Sequence, residues 1–286
     1  MRALLALLLY CAGVSGALAQ QLVEVPSLDQ AGGQAIALPG FWLPSAAAAG
    51  KAPAMVLMHG CGGPYDGRGR LNTRLRDTAA RLNALGVHAL VVDSLMPRGE
   101  RELCTQRLGT RAVTMTQRRR DALGALAWLS VQAGVDAARL GVMGWSNGAS
   151  TVLASTNRHD AEVAASPVQP SLAIALYPGC EADLRRGYEA TAPLLLLVGE
   201  LDDWTPASPC KALAAQATGP APQLEVYAGA YHGFDTPGPV RVRRDVPNGA
   251  NPGQGVHVGG DAHARVASAA RIDRFLAEQW GLTLPH

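Results

Sequence analysis

Six short, mostly apolar runs constrain this chain more than any other feature. They are Ala54–Met58, Val87–Val92, Arg139–Met143, Leu172–Tyr177, Pro193–Val198 and Leu224–Tyr227. Each is strand-length and too short for a core helix, and Ala54–Met58, Leu172–Tyr177 and Pro193–Val198 are apolar on both faces rather than alternating, the mark of a strand covered on both sides. Helical stretches separate them. Leu71–Leu85 carries helical periodicity and stops at Gly86, where a left-handed cap is expected. Thr114–Gln132, Asn147–Ala154, Ala207–Ala217 and Asp261–Gln279 also read as helices, the last with Asp261 as N-cap. Strand and helix in alternation predict an α/β protein, with a mostly parallel central sheet and helices on both faces. Gln34–Pro44 reads as an early strand or hairpin, residues 20–35 as an irregular lead-in, and Thr236–Gly260, rich in Pro and Gly, as structureless by pattern, a surface excursion or functional loop.

The N-terminus reads as a targeting segment. Arg2 is followed by an apolar stretch from Ala3 to Val14 and by Ala17-Leu18-Ala19, an A-x-A cleavage signal. Residues 1–19 are therefore expected to be removed as a signal peptide before Gln20, leaving one domain over 20–286. The apolar stretch is shorter than the roughly 20 residues a membrane span needs. Export, to the periplasm or outside the cell, follows as the expectation, with no membrane association after cleavage. It also changes how the cysteines read: Cys61, Cys104, Cys180 and Cys210 would sit in an oxidising compartment. Four cysteines allow three pairings, and no C-x-x-C spacing supports zinc or another metal.

A formal net charge of +2 gives no electrostatic footprint for nucleic acid. Hydrophobic residues at 48% with charged residues at 17% describe a chain that fills a core. Gly60–Gly63 lacks G-x-G-x-x-G spacing, and no P-loop lysine is present, so a dinucleotide or nucleotide fold is excluded.

Chemistry concentrates at Gly144-Trp145-Ser146-Asn147-Gly148. In a chain with 32 glycines the G-x-S-x-G pattern alone could be accidental, so its context decides. A strand precedes Ser146 and a helix-compatible segment follows it, the setting of a nucleophile elbow. A serine hydroxyl needs a general base, and the base needs an orienting carboxylate, in the chain order Ser, acid, His. Asp202, with Asp203 beside it, follows the strand 193–198, and His232 follows the strand 224–227. The oxyanion would take one N–H from Asn147 and one from the loop His59-Gly60-Cys61-Gly62, placed at Cys61.

Together these stretches resemble the dienelactone hydrolase family of the α/β-hydrolase superfamily. The residues that carry the likeness are His59-Gly60-Cys61-Gly62-Gly63, Asp93 with Pro97-Arg98-Gly99, the elbow, Gly199–Pro206 and Ala230–Phe234. The resemblance runs from about Ala54 to the C-terminal helix. It implies an α/β-hydrolase fold, hydrolysis of small-molecule esters or lactones, and no metal or organic cofactor. The family pattern sets the acid four residues before a proline, which selects Asp202 over Asp203. Namesake enzymes use a cysteine nucleophile and a glutamate in the early loop; this chain has Ser146 and His59-Gly60. The resemblance therefore does not carry dienelactone itself across as the substrate.

Around this centre, Trp145, Trp204, Arg98 and Tyr65 are candidates for the substrate pocket. The tryptophans would suit an apolar or aromatic acyl group, or pack the core. Arg98 would meet a substrate carboxylate or make a structural salt bridge. His59 reads as a loop-orienting group, His88 as packing within a strand, and His159, His257, His263 and His286 as solvent-exposed. Cys180–Cys210 is the favoured disulfide, because both follow neighbouring strands at one edge of the sheet. Cys61–Cys104 is then the remainder and would tie the oxyanion loop down. Three functions stay open: a Ser-His-Asp esterase, a peptidase or acyltransferase on the same machinery, and a non-catalytic binding protein of this fold. Oligomeric state has no signature here.

Overall fold

The computed structural model describes residues 20–48 and 50–284; the expected signal peptide and His286 lie outside them. Eight strands form one sheet in the order β1-β2-β4-β3-β5-β6-β7-β8. β1 (Gln21–Ala31) and β2 (Gln34–Leu43) form an antiparallel hairpin, and β2 runs antiparallel to β4 (His88–Val92). From there β3 (Ala52–Met58), β5 (Val135–Trp145), β6 (Leu172–Leu176), β7 (Leu194–Gly199) and β8 (Gln223–Tyr227) run parallel. This is the α/β-hydrolase arrangement.

The uninterrupted apolar runs are explained by two cores, one on each side. Alternate side chains of β3 and β5 divide between them: Val56, Met58 and Val142 face one, Met55, Leu57 and Met143 the other. Against the first pack α2 (Met115–Ser130), α3 (Asn147–Thr156) and α6 (Ala207–Gln216). Against the second pack α1 (Thr73–Ala84) and α7 (Ala262–Trp280). Local chemistry starts these helices: Asn72 accepts from the Leu75 amide, Thr114 forms a capping box with Gln117, and Asp261 accepts from the Ala264 amide. Two short helices, α4 (Ala161–Ala164) and α5 (Glu181–Arg186), complete the set. No helix among the described residues is long and apolar enough to cross a membrane.

Because β4 lies on one side of β3 and β5 on the other, the chain reverses its direction of winding between β3 and β5. In open α/β sheets ligands bind at the carboxyl ends of strands beside such a switch point. Here the loop after β3 begins at His59, and the turn after β5 holds Ser146.

Two sequence expectations are corrected. Residues 20–35 are not an irregular lead-in but contain the eleven-residue edge strand β1. Its inward-facing positions include Ser27 and Asp29, so the apolar alternation that marks a half-buried strand is missing. Those polar groups meet α2: Ser27 Oγ donates to Asp121 at 2.6 Å. Nor is 236–260 structureless, since β9 (Arg241–Arg243) and β10 (Val256–Val258) pair within it. Three-residue strands leave no period to read.

The contact of α2 with β1 requires glycine at 124. A Cβ there would stand 2.3 Å from the Pro26 carbonyl oxygen. Helix propensity favours alanine over glycine by up to about 1 kcal/mol. Overpacking against backbone outweighs it, and Gly124→Ala should lower stability by about 1–3 kcal/mol in urea unfolding.

Candidate active site

The turn after β5 places Ser146 at φ 53° and ψ −120°, a left-handed conformation that a serine rarely adopts. Its neighbours have no room for side chains. A Cβ on Gly144 would lie 2.3 Å from the Gly148 carbonyl oxygen, and one on Gly148 would lie 2.0 Å from that of Met58. The amide of Ser146 donates to Leu176 O at 2.9 Å, which anchors the turn to β6. α3 starts at Asn147, so its free N–H groups point toward the serine.

His232 meets Ser146 from the loop after β8, with Nε2 2.9 Å from Ser146 Oγ. Its Nδ1 lies 2.8 Å from Asp202 Oδ2. Asp202 can only accept, so Nδ1 carries the proton and Nε2 is free to accept from the hydroxyl. His232 is only 3% exposed and Asp202 only 4%. Asp202 Oδ1 accepts from the amides of Trp204 and Thr205 at 2.9 and 2.8 Å, and the Thr205 hydroxyl lies 3.0 Å from Oδ2 and 3.1 Å from His232 Nδ1. The Tyr177 and Trp204 rings each stand 4.6 Å from the imidazole, centroid to centroid, and screen it from water. Tyr177 itself has φ 44°, and its hydroxyl donates to Asp235, which pairs with Arg74. Burial drives the Tyr177 phenol well above its ordinary pKa, so it remains a donor.

Opposite the serine lies the loop after β3. His59 is buried, and burial together with the charge of Arg118 holds its pKa well below the usual histidine range. The neutral ring accepts from the Ser94 amide at Nε2, 3.3 Å away, and donates from Nδ1 to Gly60 O at 2.7 Å. Cys61 O accepts from the Leu103 amide at 2.7 Å, and Cys61 is bonded to Cys104. The loop is thus tied at three points. The amides of Cys61 and Asn147 have no acceptor among the described residues, and both residues line the same cavity as Ser146. The second disulfide joins Cys180 to Cys210.

The cavity, about 510 Å³, is walled by Leu108, Val113, Met115, Trp204, Pro206 and Pro209. Its far rim comes from the 236–260 segment. Asn248 donates to Gln106 O at 2.8 Å and accepts from the Leu108 amide at 2.9 Å, while the Ala250 amide donates to Asp203 O at 2.8 Å. Among the described residues no cluster of three or more His, Cys, Asp or Glu side chains could hold a metal ion.

Of the pocket candidates, only Trp204 lines this cavity. Trp145 is 2% exposed and packs in the second core, because the strained turn aims it inward when it aims Ser146 outward. Tyr65 borders a smaller cleft of about 200 Å³ on the other side of the His59 loop. Arg98 is corrected to the structural role: it forks onto Asp29 at 2.9 Å and Asp121 at 2.8 Å and does not reach the cavity. His257 is also corrected. It is half-buried, pairs with Asp203 at 2.7 Å and stacks on Tyr231. Arg118 and Thr205 escaped the sequence reading. For Arg118 a signal exists: it falls on the stripe of Ala122, Ala125, Leu126 and Leu129, where a charge is out of place.

Comparison with known proteins gives the family and the fold. The sequence model of the dienelactone hydrolase family matches residues 40–269. No curated protein sequence matches the chain. Among solved structures, a dienelactone hydrolase-like promiscuous phosphotriesterase from metagenomic libraries superimposes with a TM-score of 0.64 at 19% identity, covering 92% of this chain and 99% of that one. Esterase 2 of Thermogutta terrifontis, phosphorylated by paraoxon, gives 0.62 at 16% identity, covering 93% and 96%. A dienelactone hydrolase from Anabaena variabilis gives 0.61 at 17% identity, covering 91% and 97%. At these identities the likeness establishes the fold.

The Arg98 cluster makes acid stability testable. Burial pushes the Asp29 carboxyl upward, but Arg98 and Arg120 outweigh it and hold the pKa below the ordinary value; Arg120 and Arg119 similarly lower that of Glu162. Depressed carboxylates contribute stability that is complete above their unfolded pKa, near 4, and lost as pH falls through the folded one. Urea midpoints should therefore drop as pH falls from about 5 toward 2. Arg98→Met strands Asp121, leaves Asp29 with Arg120 alone and should cost about 3–5 kcal/mol at pH 7. Its acid loss should be shallower, because protonation then relieves a buried charge.

Proposed function

The chain belongs to the dienelactone hydrolase family and is a hydrolase acting on esters, and from that premise we propose that it is an exported serine esterase whose nucleophile is Ser146. The observation that carries this reading is the continuous relay from Ser146 Oγ to His232 at 2.9 Å and on to Asp202 at 2.8 Å, opening on a cavity with two free amides. In the proposed cycle Ser146 Oγ attacks the acyl carbon while His232 Nε2 takes its proton. The carbonyl oxygen becomes an oxyanion held by the amides of Asn147 and Cys61. Collapse expels the alcohol, which receives the proton from His232. Water then enters, loses a proton to His232 and releases the acid by the same steps reversed. Asp202 accepts from Nδ1–H, fixes that tautomer and stabilises the imidazolium.

The substrate is a small carboxylic ester or lactone whose acyl part packs on Trp204 and the aliphatic wall. Supporting the serine chemistry, a solved esterase of this fold is phosphorylated by paraoxon and another is described as a phosphotriesterase. Export is supported by the A-x-A signal ending at Ala19 and by two disulfides, which persist in oxidising compartments. The exported chain would begin at Gln20.

A fluorophosphonate probe should label the purified mature protein at Ser146, and p-nitrophenyl acetate should be hydrolysed. Ser146→Ala should abolish labelling and lower kcat at least about 10³-fold; Asp202→Asn should lower it by about 10⁴-fold. Labelling that survives Ser146→Ala would refute the assignment. N-terminal sequencing of the exported chain tests processing, and a start other than Gln20 would overturn that site.

A further inference from the structure

Arg118 lies beneath the elbow, and no step of the proposed cycle uses it. Its side chain is fully buried. Nη2 donates to His59 O at 2.7 Å, Nη1 donates to Asn147 Oδ1, and Nε has no partner. Among the described residues no carboxylate pairs with it. Asp121, one turn along α2, is held by Arg98, and Asp93 Oδ1 accepts from the amides of Leu95 and Met96.

A guanidinium withdrawn from water without a carboxylate is costly, and folded proteins rarely keep one without a use. Burial lowers its pKa only to about 10, so it remains charged at neutral pH. The charge sits between the two walls of the proposed oxyanion site. Asn147 supplies one amide, and His59 begins the segment that leads to the other at Cys61. Asp121 and Asp93, whose Oδ2 has no hydrogen-bond partner, attract the guanidinium without pairing with it, so the negative charge that acyl transfer develops between those amides is the counter-charge missing on the elbow side. In a water-poor site a fixed cation near a developing anion acts strongly, and it needs no reorganisation when the reaction occurs.

We infer that Arg118 is a positioning residue for the oxyanion: it braces Asn147 against the His59 loop, and its unpaired charge favours the tetrahedral state over the bound ester. The inference rests on the serine esterase reading above. Arg118 touches no reacting atom. When the carbonyl oxygen gains its electron pair and His232 takes the serine proton, Arg118 keeps all its protons.

A brace alone and a brace that carries a field predict different outcomes. The test compares wild-type mature protein with Arg118→Lys, Arg118→Gln and Asn147→Asp. Readouts are kcat and KM for p-nitrophenyl acetate, Tm, and inhibition by an aryl trifluoromethyl ketone, which forms an oxyanion on the serine. Arg118→Gln should lower kcat by about 10²-fold while KM changes less than about threefold, and should weaken the ketone by a similar factor. Arg118→Lys, which keeps the charge, should recover most of that loss. Asn147→Asp keeps the amide and turns the brace into an ion pair, so Tm should hold or rise while kcat falls by about 10²-fold. This variant decides the matter if Arg118→Gln does not fold. Asn147→Asp with kcat within threefold of wild type overturns the inference. So does a folded Arg118→Gln whose ketone affinity is unchanged. Wild-type protein that neither labels at Ser146 nor turns over ester sinks the esterase reading, and this inference with it.

Discussion

The rest of the site depends on one close approach of backbone to backbone, where the start of α3 crosses the end of β3. Gly148 packs against the Met58 carbonyl so tightly that a single methyl group would overlap it, and Gly144 packs against Gly148 in the same way. This contact turns the chain sharply enough to hold Ser146 in a left-handed conformation. Strain of this kind costs on the order of 1–3 kcal/mol and persists only where the surroundings over-determine it. Here the surroundings are the hydrogen bond from Ser146 to β6, the helix that follows, and the fully apolar strands on either side. The result sends Trp145 into the core and lifts the serine hydroxyl above the sheet edge.

Around that rigid turn, three loops from separate strands are each fastened by different chemistry. The loop after β3 is held by a neutral buried histidine, a backbone hydrogen bond and a disulfide. The loop after β7 is organised by Asp202, whose carboxylate gathers the amides of its own turn while it faces His232. The loop after β8 is pinned by β10: Val258 bridges to His232, and the Gly259 amide just beyond the strand donates to His232 O at 3.0 Å. Asp203 binds the same segment through His257, so adjacent aspartates serve different elements: Asp202 faces the imidazole, and Asp203 the rim of the cavity. Sheet edges make such division practical, because the strands are immobile and only the loops need adjusting.

The polar interior between β1 and α2 follows a different rule from the two apolar cores. Ser27, Asp29, Arg98, Arg120 and Asp121 fill it, and Glu162 joins through Arg120. A buried cluster of this type contributes little net stability compared with apolar packing, but removing one member leaves the others uncompensated. Arg98 belongs to this cluster. Arg118, on α2 with Arg120 and Asp121, stands outside it and faces the elbow, so α2 links the polar layer to the site.

Much of this was legible in the amino-acid sequence, wherever the signal is local. Continuous apolar runs determined the parallel strands, because a strand covered on both faces has no polar side to show. The N-cap at Asp261 is set by a short-range hydrogen bond to the Ala264 amide. The order Ser146, Asp202, His232 and the glycines at 144 and 148 follow from what a strand-to-helix turn demands of its residues. Tertiary structure alone decided the partners of charged groups. Arg98 and Arg118 are both arginines beside apolar stretches, and only the packing of α2 against β1 and β3 assigns one to carboxylates and the other to the elbow. It alone revealed β1, whose inward face carries Ser27 and Asp29, and it alone gave Asp203 its partner, His257. The reason is physical. Periodicity and turn chemistry report a residue's own backbone, whereas the fate of a buried charge is set by groups distant in sequence that meet it only when the chain is folded.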